Sequence, residues 1–582
     1  MGDRRRPTQC RVDIDFTLRR VFGKKSFRPL QREIITAAIE GHDIFIQAAT
    51  SFGKSLCYQL PAVVGHGVTI VISPLLALMA DQVAALQANG IPVATINSTI
   101  SWSERQTIES DLLSGHPVIR LLYVTPELCA GDRFRNILMQ MYHQGEINRI
   151  AIDEAHCISE WGKDFRPAFR ELSWFRQTFR DPPIPVMALT ATATPRVRAD
   201  IIEALGLDIG NLKIFSTSTA RPNIHYEVRY IPDYCENPAD LPVGQLNDLL
   251  SWLRQVRARR EARLGVKQKD EKPGDTKPIM PTMSGIIYVP TKATADNLAR
   301  TLNDSGGWIR ALVYHGGLKM EDRARVEEMW RPRTPPGDDE GEEKENDADE
   351  ERPPAFLIMV ATTAFGMGID NPDVRFVIHW SPPRSFEGFI QESGRAGRDG
   401  RAAVSIVYYN RPAADRVRYW VANNIGSGNQ QSNYGRRPPA PLDPATEERT
   451  KRARLESLQK VVDYCETTNR CRHEIIKEYC GDRELEDMQA KKEEHFKEED
   501  DMDEDEDEDE KPTRKVPSVI NATYDCDYAC DFCKEGEASV TRRKDVVVRA
   551  DQYHKMADAE PILSMMFGGV GGPCSCSTCM DV

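Results

Sequence analysis

Short apolar runs and helix-forming stretches alternate twice along the chain, once before about residue 220 and once after it. Such alternation is typical of parallel sheets whose strands are joined by crossover helices. In the first block the apolar runs are IFIQAA, VTIVISP, RLLYVTP, RIAIDEA and PVMALTATAT. In the second block they are SGIIYVP, RALVYH, FLIMVAT, RFVIHW and VSIVYY. The pattern predicts an α/β protein with two tandem parallel-sheet domains, residues 1–219 and 220–425.

Two segments interrupt the second block and differ from it in composition. Residues 254–282 are basic and then rich in Lys, Asp and Pro, whereas residues 331–354 contain a run of acids. We interpret both as surface loops inserted between elements, since a compact sheet does not otherwise require connections of this length.

The chain changes character after the second block. Residues 426–450 are rich in Gly, Asn, Pro and Arg, which is typical of a linker. Apolar residues then recur at helical spacing and predict a helical subdomain over residues 451–545. A second acidic tract, 493–511, interrupts that subdomain. Residues 546–582 are rich in Gly, Met and Cys and are expected to form a disordered tail.

Acidic residues are concentrated rather than spread along the chain. The formal net charge is −13, but residues 337–351 carry −9 and residues 493–511 carry −12. The remainder therefore has a net charge of +8, which makes it basic enough to approach phosphate groups. We interpret the acidic tracts as solvated, disordered insertions. Docking sites for basic protein partners are the alternative interpretation.

The sequence favours a soluble, intracellular protein without a membrane span. The longest apolar run, Val68–Ala80, is interrupted by Ser73 and Pro74 and is too short to cross a bilayer. Of the 14 cysteines, nine follow residue 460 and the others are scattered. Scattered cysteines indicate a reducing compartment, and the late cluster indicates a bound metal.

The segment AATSFGKS, residues 48–55, lies between a predicted strand and a predicted helix. In a phosphate-binding loop of this form, backbone N–H groups around Thr50 and Gly53 hold phosphate oxygens. Lys54 would neutralise the β- and γ-phosphates, and Ser55 would hold magnesium. The first glycine of the usual pattern is an alanine here. The segment therefore predicts a nucleoside-triphosphate site.

Two adjacent carboxylates, Asp153 and Glu154, follow a short apolar run. At the carboxyl end of a strand, one carboxylate can hold magnesium and the other can accept a proton from the attacking water. The next loop carries aromatic and basic side chains suited to stacking on nucleic-acid bases, namely Trp161, Phe165 and Arg166. The stretch predicts nucleotide hydrolysis beside a nucleic-acid contact.

The order of motifs over residues 14–425 resembles that of the RecQ family of superfamily 2 DNA helicases. The segments that carry the resemblance are LRRVFGKKSFRPLQ, SLCYQLPA, SPLLALMADQV, TPE, DEAHCISEWGKDFRPAF, TAT, VATTAFGMGID and QESGRAGRDG. The resemblance implies two tandem RecA-like domains that use ATP and Mg²⁺. It also implies a nuclear ATP-dependent helicase that moves 3′ to 5′ on single-stranded DNA. Such an enzyme unwinds duplex or forked DNA in recombination, repair or replication.

The resemblance also assigns roles to individual residues. Gln31 would pair with the edge of adenine, and Arg28 would lie over its face. Where many members have an aromatic residue on the other face, this chain has Lys24. Arg395 and Arg398 in QESGRAGRDG would reach the γ-phosphate from the second domain and stabilise charge in the transition state.

Cysteines near the end of the chain are spaced for a tetrahedral zinc site. Cys526, Cys530 and Cys533 offer three thiolates from one loop, and Cys471 can offer the fourth. RecQ proteins have a helical zinc-binding subdomain after the motor, and CRHEIIKEYCGD resembles its opening. The three clustered cysteines are spaced one residue wider than this resemblance leads us to expect. Cys480 is a rival ligand that we expect to pack in a core instead.

Two other functions stay open at this point. One is a DNA-binding or strand-annealing protein whose ATP cycle acts as a switch with little unwinding. The complete set of Lys54, Asp153, Glu154 and Arg398 disfavours an inactive ATPase. The other is an RNA helicase, which the aromatic-rich loop after Glu154 disfavours.

Overall fold

The computed structural model describes residues 13–49, 52–159, 166–232, 240–263, 281–330, 353–365, 371–423, 444–485, 518–522 and 530–548. Within these ranges, two all-parallel sheets with their helices make up most of the chain. They confirm the predicted α/β fold with two RecA-like domains. Across the same part of the chain, no helix combines the length and the apolar content that crossing a membrane requires.

The first domain contains an eight-stranded sheet with the order β14-β7-β1-β6-β5-β2-β4-β3. Seven strands come from the amino-terminal part of the chain: β1 (Asp43–Gln47), β2 (Val68–Ile72), β3 (Val93–Ile96), β4 (Leu121–Val124), β5 (Ile147–Ile152), β6 (Val186–Thr190) and β7 (Leu212–Thr217). The eighth, β14 (Ser518–Ala522), pairs in parallel with the outer edge of β7. This late strand was not predicted.

Helices cover both faces of the first sheet. They are α1 (Ile14–Arg20), α2 (Gln31–Ile39), α3 (Leu56–Val64), α4 (Leu76–Ala88), α5 (Trp102–Leu112), α6 (Pro126–Cys129), α7 (Asp132–Gln144), α8 (Pro167–Arg170), α9 (Ser173–Thr178) and α10 (Pro195–Leu205). Strands β1, β2 and β6 are buried at every residue. Because both faces of these strands are covered, their sequences are mostly apolar and do not alternate regularly with polar residues.

The second domain contains a six-stranded parallel sheet with the order β10-β11-β9-β12-β13-β8. Its strands are β8 (Ile224–Tyr230), β9 (Met283–Tyr288), β10 (Ile309–Tyr314), β11 (Phe356–Ala361), β12 (Val374–His379) and β13 (Ala403–Tyr409). Its helices are α11 (Val243–Arg263), α12 (Lys292–Asp304), α13 (Met320–Trp330), α14 (Phe386–Ser393) and α15 (Arg411–Asn423).

A helical subdomain follows and packs against the second domain. Its helices are α16 (Pro444–Glu466), α17 (Arg472–Tyr479), α18 (Asp531–Glu535) and α19 (537–548). Leu458 and Tyr464 of α16 and Ile476 of α17 share one apolar cluster with Phe386 and Phe389 of α14. The subdomain and the second domain therefore have a common core.

Three predicted boundaries are wrong. Helix α11 continues through residues 254–263, where a loop was predicted, because Arg, Gln, Ala and Glu are good helix formers. Arg257 also pairs with Glu261 one turn later, at 2.7 Å. Helix α16 begins inside the predicted linker, since its proline occupies a first-turn position that tolerates proline. Helix α19 continues to residue 548, past the predicted start of the tail.

Gly285 in β9 leaves room for an aromatic ring of the neighbouring strand. It lies opposite Phe376 of β12, and a Cβ added at Gly285 would be 1.9 Å from the Cζ atom of that ring. We expect Gly285→Ala to lower the free energy of unfolding by about 1–3 kcal/mol, because a buried ring would have to move. Urea unfolding followed by circular dichroism measures this change.

Gly307→Ala is the matched control, because an added Cβ at that glycine meets nothing within 4 Å. Its unfolding midpoint should stay close to that of the wild-type protein. Equal midpoints for the two variants would contradict the packing argument.

Candidate nucleotide-binding cleft and cysteine cluster

The phosphate-binding loop follows β1 and leads into α3. The Nζ atom of Lys54 donates a hydrogen bond to the carbonyl oxygen of Ala48 at 2.8 Å, which curls the loop over the end of the strand. Ser55 is the N-cap residue of α3. Thr50 lies outside the described residues. The loop thus places its lysine and serine at the carboxyl edge of the sheet, as the sequence predicted.

Gln31 connects the start of α2 to this loop. Its Nε2 atom donates to the carbonyl oxygen of Phe52 at 2.8 Å, and its Oε1 atom accepts from the N–H of Arg28 at 2.9 Å. Gly53 has a φ of +81°, and a Cβ there would be 2.9 Å from Nε2 of Gln31. The structure therefore brings together both residues expected to contact adenine and the loop expected to hold phosphate.

Asp153 and Glu154 directly follow β5, two strands away from β1 in the sheet. The N–H of Glu154 donates to Oδ1 of Asp153 at 3.0 Å. Glu154 has a φ of +51°, a left-handed conformation that is strained in a residue with a side chain. Strain of this kind concentrates at functional sites, which supports a functional role for this turn.

A chain of polar contacts joins Glu154 to the segment after β6. The Nδ1 atom of His156 lies 3.3 Å from Oε2 of Glu154 and 3.1 Å from Oγ1 of Thr190. Thr190 in turn donates to the carbonyl oxygen of Thr192 at 3.0 Å. His156 is thus a hydrogen-bonding residue of the cleft, and it links the TAT segment to the carboxylate pair.

Burial and charge together set the protonation of this site. Burial raises the pKa of Asp153, the neighbouring Glu154 carboxylate raises it further, and Lys54 opposes both effects. Burial lowers the pKa of Lys54, while Glu154 and Asp153 raise it and Arg398 lowers it. A cation beside Asp153 would favour its ionised form.

The second domain places an arginine-bearing turn opposite the phosphate-binding loop. Arg398 lies close enough to Lys54 for its positive charge to lower the pKa of that lysine. Arg395 is buried near Tyr288, whose hydroxyl group donates to the carbonyl oxygen of Phe365 at 2.8 Å. Both arginines, which follow α14, line a small cavity with Trp330 of α13.

Two residues that the sequence did not single out hold this turn in place. Arg221 donates to the carbonyl oxygen of Gly394 at 3.1 Å, and Asn223 donates to that of Gly397 at 2.9 Å. Both residues lie just after β7, in the connection between the two domains. No local motif marked them, because their role depends on a contact more than 170 residues away in the chain.

The aromatic-rich loop is described only at its end. Trp161 and Phe165 lie outside the described residues. The backbone N–H of Arg166 donates to the carbonyl oxygen of Cys157 at 3.0 Å, and its side chain donates to that of Pro74 at 3.0 Å. Arg166 therefore joins the loop after the carboxylate pair to the SPLLALMADQV segment.

Three of the four predicted metal ligands lie together. The ligand atoms of Cys471, Cys530 and Cys533 are all within 4.8 Å of one another, and the fourth, Cys526, lies outside the described residues. A hydrogen bond from Cys530 lowers the pKa of the Cys471 thiol. Cys480 is buried in the apolar cluster of the second domain, which confirms that it packs in a core.

A buried ion pair positions the cysteines. Arg472 donates through Nε to Oδ1 of Asp531 at 2.9 Å, and both side chains are fully buried. The two residues directly follow Cys471 and Cys530, so their pairing brings these sulfur atoms to 3.9 Å from each other. His473 adds a ring nitrogen 3.9 Å from the Cys471 sulfur. The sequence analysis did not identify these polar residues, Arg472, Asp531 and His473, around the cysteines.

Comparison with known proteins agrees with this geometry. Residues 28–201 match the family model of the DEAD/DEAH box helicase, and residues 279–400 match that of the helicase conserved C-terminal domain. The carboxylate pair lies in the first match, and Arg395 and Arg398 lie in the second.

Curated relatives extend the likeness over 80% of the chain. ATP-dependent DNA helicase Q5 of Rattus norvegicus is 36% identical over 471 residues, which are 42% of that protein. RecQ-like DNA helicase blm-1 of Caenorhabditis elegans is 34% identical over 467 residues, which are 39% of it. ATP-dependent DNA helicase Q1 of Rattus norvegicus is 33% identical, and 62% of it is covered. With both helicase models matched in the order of its two domains, the chain belongs to the RecQ family of DNA helicases.

Proposed function

We propose that this protein is an ATP-dependent DNA helicase that moves 3′ to 5′ on single-stranded DNA and unwinds duplex DNA. Recombination, repair or replication in the nucleus is the proposed setting. The observation that carries the proposal is the arrangement of the cleft: Lys54 and the pair Asp153 and Glu154 lie at the carboxyl edge of the first sheet, and Arg398 of the second domain lies near Lys54. Relatives named ATP-dependent DNA helicases also support it.

ATP would bind between the two domains. Lys54 would neutralise charge on its β- and γ-phosphates. The Oε1 atom of Gln31 accepts one hydrogen bond from Arg28 and keeps a second lone pair for the amino group of adenine. Gln31 also donates to the carbonyl oxygen of Phe52 at 2.8 Å. A contact between Gln31 and the base would therefore be linked by a direct hydrogen bond to the phosphate-binding loop.

In hydrolysis, the two neighbouring carboxylates Asp153 and Glu154 would have different roles. Glu154 would accept the proton of the water that attacks the γ-phosphate, and His156 would hold Glu154 in place. Asp153 and Ser55 would bind Mg²⁺, which supplies charge neutralisation at the phosphates. Arg395 and Arg398 would stabilise negative charge in the transition state, and only while the domains are closed together.

Movement along DNA would follow from the opening and closing of the cleft. Loss of the γ-phosphate removes the contact shared by Lys54 and Arg398, so the domains can separate. Trp161 and Phe165 would stack on DNA bases, and Arg166 would relay strand occupancy to the carboxylate pair. Support for the relay comes from the backbone bond of Arg166 to Cys157, at 3.0 Å, only three residues from Glu154.

The cysteine cluster would hold a zinc ion. Cys471, Cys530 and Cys533 offer three sulfur ligands within 4.8 Å of one another, which suits a tetrahedral site. Cys526 would supply the fourth ligand. His473 is the alternative fourth ligand, because a nitrogen of its ring lies near the sulfur of Cys471. The bound ion would stabilise the contact between α17 and α18.

One experiment tests both the helicase proposal and its alternative, strand annealing. We expect the wild-type protein to unwind a duplex with a 3′ single-stranded tail and to leave a 5′-tailed duplex intact. Lys54→Ala should abolish unwinding, because the charge on the phosphates is no longer neutralised. Gel separation of labelled strands measures both outcomes, and Lys460→Ala, at an exposed lysine of α16, is the control.

Faster unwinding of the 5′-tailed duplex would contradict the proposed polarity. Annealing of complementary strands without any unwinding by the wild-type protein would favour the ATP-switched alternative. Stronger ATPase stimulation by single-stranded RNA than by DNA would contradict the choice of substrate.

Zinc content tests the metal proposal. We expect about one zinc ion per wild-type chain by inductively coupled plasma mass spectrometry. Cys530→Ser should lose most of it, because a central thiolate ligand is removed. Cys129→Ala is the control, since that thiol is buried in the core of the first domain. Unchanged zinc in Cys530→Ser would refute the site.

A further inference from the structure

Residues 479–485, which begin at the last residue of α17, cross from the second domain to the first, and we call this segment the strap. Near its start, Cys480 is buried in the apolar cluster of the second domain. At its end, Leu485 is fully buried in an apolar cluster of the first domain, together with Val197 and Ile201 of α10. The strap therefore joins the two domains in addition to the connection between β7 and β8.

The middle of the strap holds the connection between the domains. Asp482 is only 4% exposed, and its carboxylate accepts hydrogen bonds from the backbone N–H of Thr219 at 2.8 Å and from its hydroxyl group at 3.0 Å. A charged acceptor with two buried donors makes strong bonds. Thr219 lies two residues after β7, so Asp482 fixes the point at which the chain leaves the first domain.

The strap also touches the strand that carries the phosphate-binding loop. The side chain of Gln47, the last residue of β1, donates to the carbonyl oxygen of Cys480 at 2.9 Å. Arg198 bridges Gln47, at 3.3 Å, and Glu484, at 2.9 Å. Gln47 directly precedes Ala48, the residue whose carbonyl oxygen accepts the hydrogen bond from Lys54.

The strap fits closely against the first domain. Gly481 has a φ of +68°, and a Cβ at this position would lie 2.6 Å from Cγ of Pro195. At the other side, the hydroxyl group of Tyr479 donates to Glu387 of α14. The strap is thus held by both domains and has little freedom to slide.

We propose that Asp482 is a positioning residue for ATP hydrolysis. Asp482 binds Thr219, and the carbonyl oxygen of Cys480, two residues earlier, binds Gln47. Through these two contacts the helical subdomain sets the orientation of the two domains, and with it the angle at which Arg398 approaches Lys54. The inference rests on the proposed ATP-driven function and adds a route from the cysteine-bearing subdomain to the cleft. Asp482 itself touches no part of the nucleotide site.

The proposal predicts which kinetic constant changes. Without the carboxylate of Asp482, the connection at Thr219 loses its anchor and the domains sample more orientations. The rate then falls with the fraction of molecules in the closed, competent arrangement. The residues proposed to bind ATP in the first domain remain in place, so the apparent affinity for ATP changes less than the rate.

Asp482→Ala is the test, and Arg483→Ala is its matched control. Arg483 is the next residue in the strap, but its side chain is 62% exposed and pairs with Glu474 within the same subdomain. We expect DNA-stimulated kcat to fall about tenfold in Asp482→Ala, with KM for ATP changed by less than about twofold. Arg483→Ala should match the wild-type protein in both constants.

Hydrogen–deuterium exchange gives a readout that does not depend on catalysis. The peptide containing Ser218 and Thr219 should exchange faster in Asp482→Ala, while peptides from β9 and β12 keep their protection and show that the variant is folded. If Asp482→Ala does not fold, Thr219→Val removes one of the two bonds and should change kcat in the same direction by a smaller factor.

The outcomes separate this inference from the proposed function. A DNA-stimulated wild-type enzyme together with equal kcat and equal exchange for Asp482→Ala and Arg483→Ala would overturn the inference alone. A wild-type protein without DNA-stimulated hydrolysis would overturn the proposed function. In that case, unchanged exchange at Thr219 in Asp482→Ala would also reject the strap as an anchor.

Discussion

Lys54 lies near Asp153 and Glu154 of its own domain and near Arg398 of the other domain. Burial disfavours its charged form, Glu154 and Asp153 favour it, and Arg398 disfavours it again. A polyphosphate placed there would be attracted by both cations at once. The two sheets and the connection between them place these charged side chains near one another. ATP-dependent movement of the domains would follow from this arrangement.

Sheet order explains how distant segments reach this point. Strands β1, β6 and β5 are neighbours, so the loops after them carry Lys54, Thr192 and Asp153 to the same edge. On the other side, Arg221 and Asn223 fix the turn that bears Arg398. The strap adds a further connection between the domains, held through Asp482. The proposed nucleotide site and the orientation of the two domains thus depend on neighbouring contacts.

From local patterns, the sequence indicated ten of the strands, five in each sheet, as well as the phosphate-binding loop and the cysteine cluster. It was insufficient where a contact depends on distant residues. Strand β8 was missed since it alternates buried and half-buried residues, unlike the continuous apolar runs of the central strands. The loop predicted at 254–263 is helical because its basic residues are good helix formers. The contact of Asp482 with Thr219 spans 263 residues and has no local signature.

Hydrolysis and binding of ATP by Arg398→Ala test the central claim most directly, with Arg401→Ala as control because that arginine is 81% exposed. If Arg398 completes the site across the cleft, DNA-stimulated hydrolysis should fall by about a thousandfold while the first domain still binds ATP. Wild-type hydrolysis by Arg398→Ala would contradict the account.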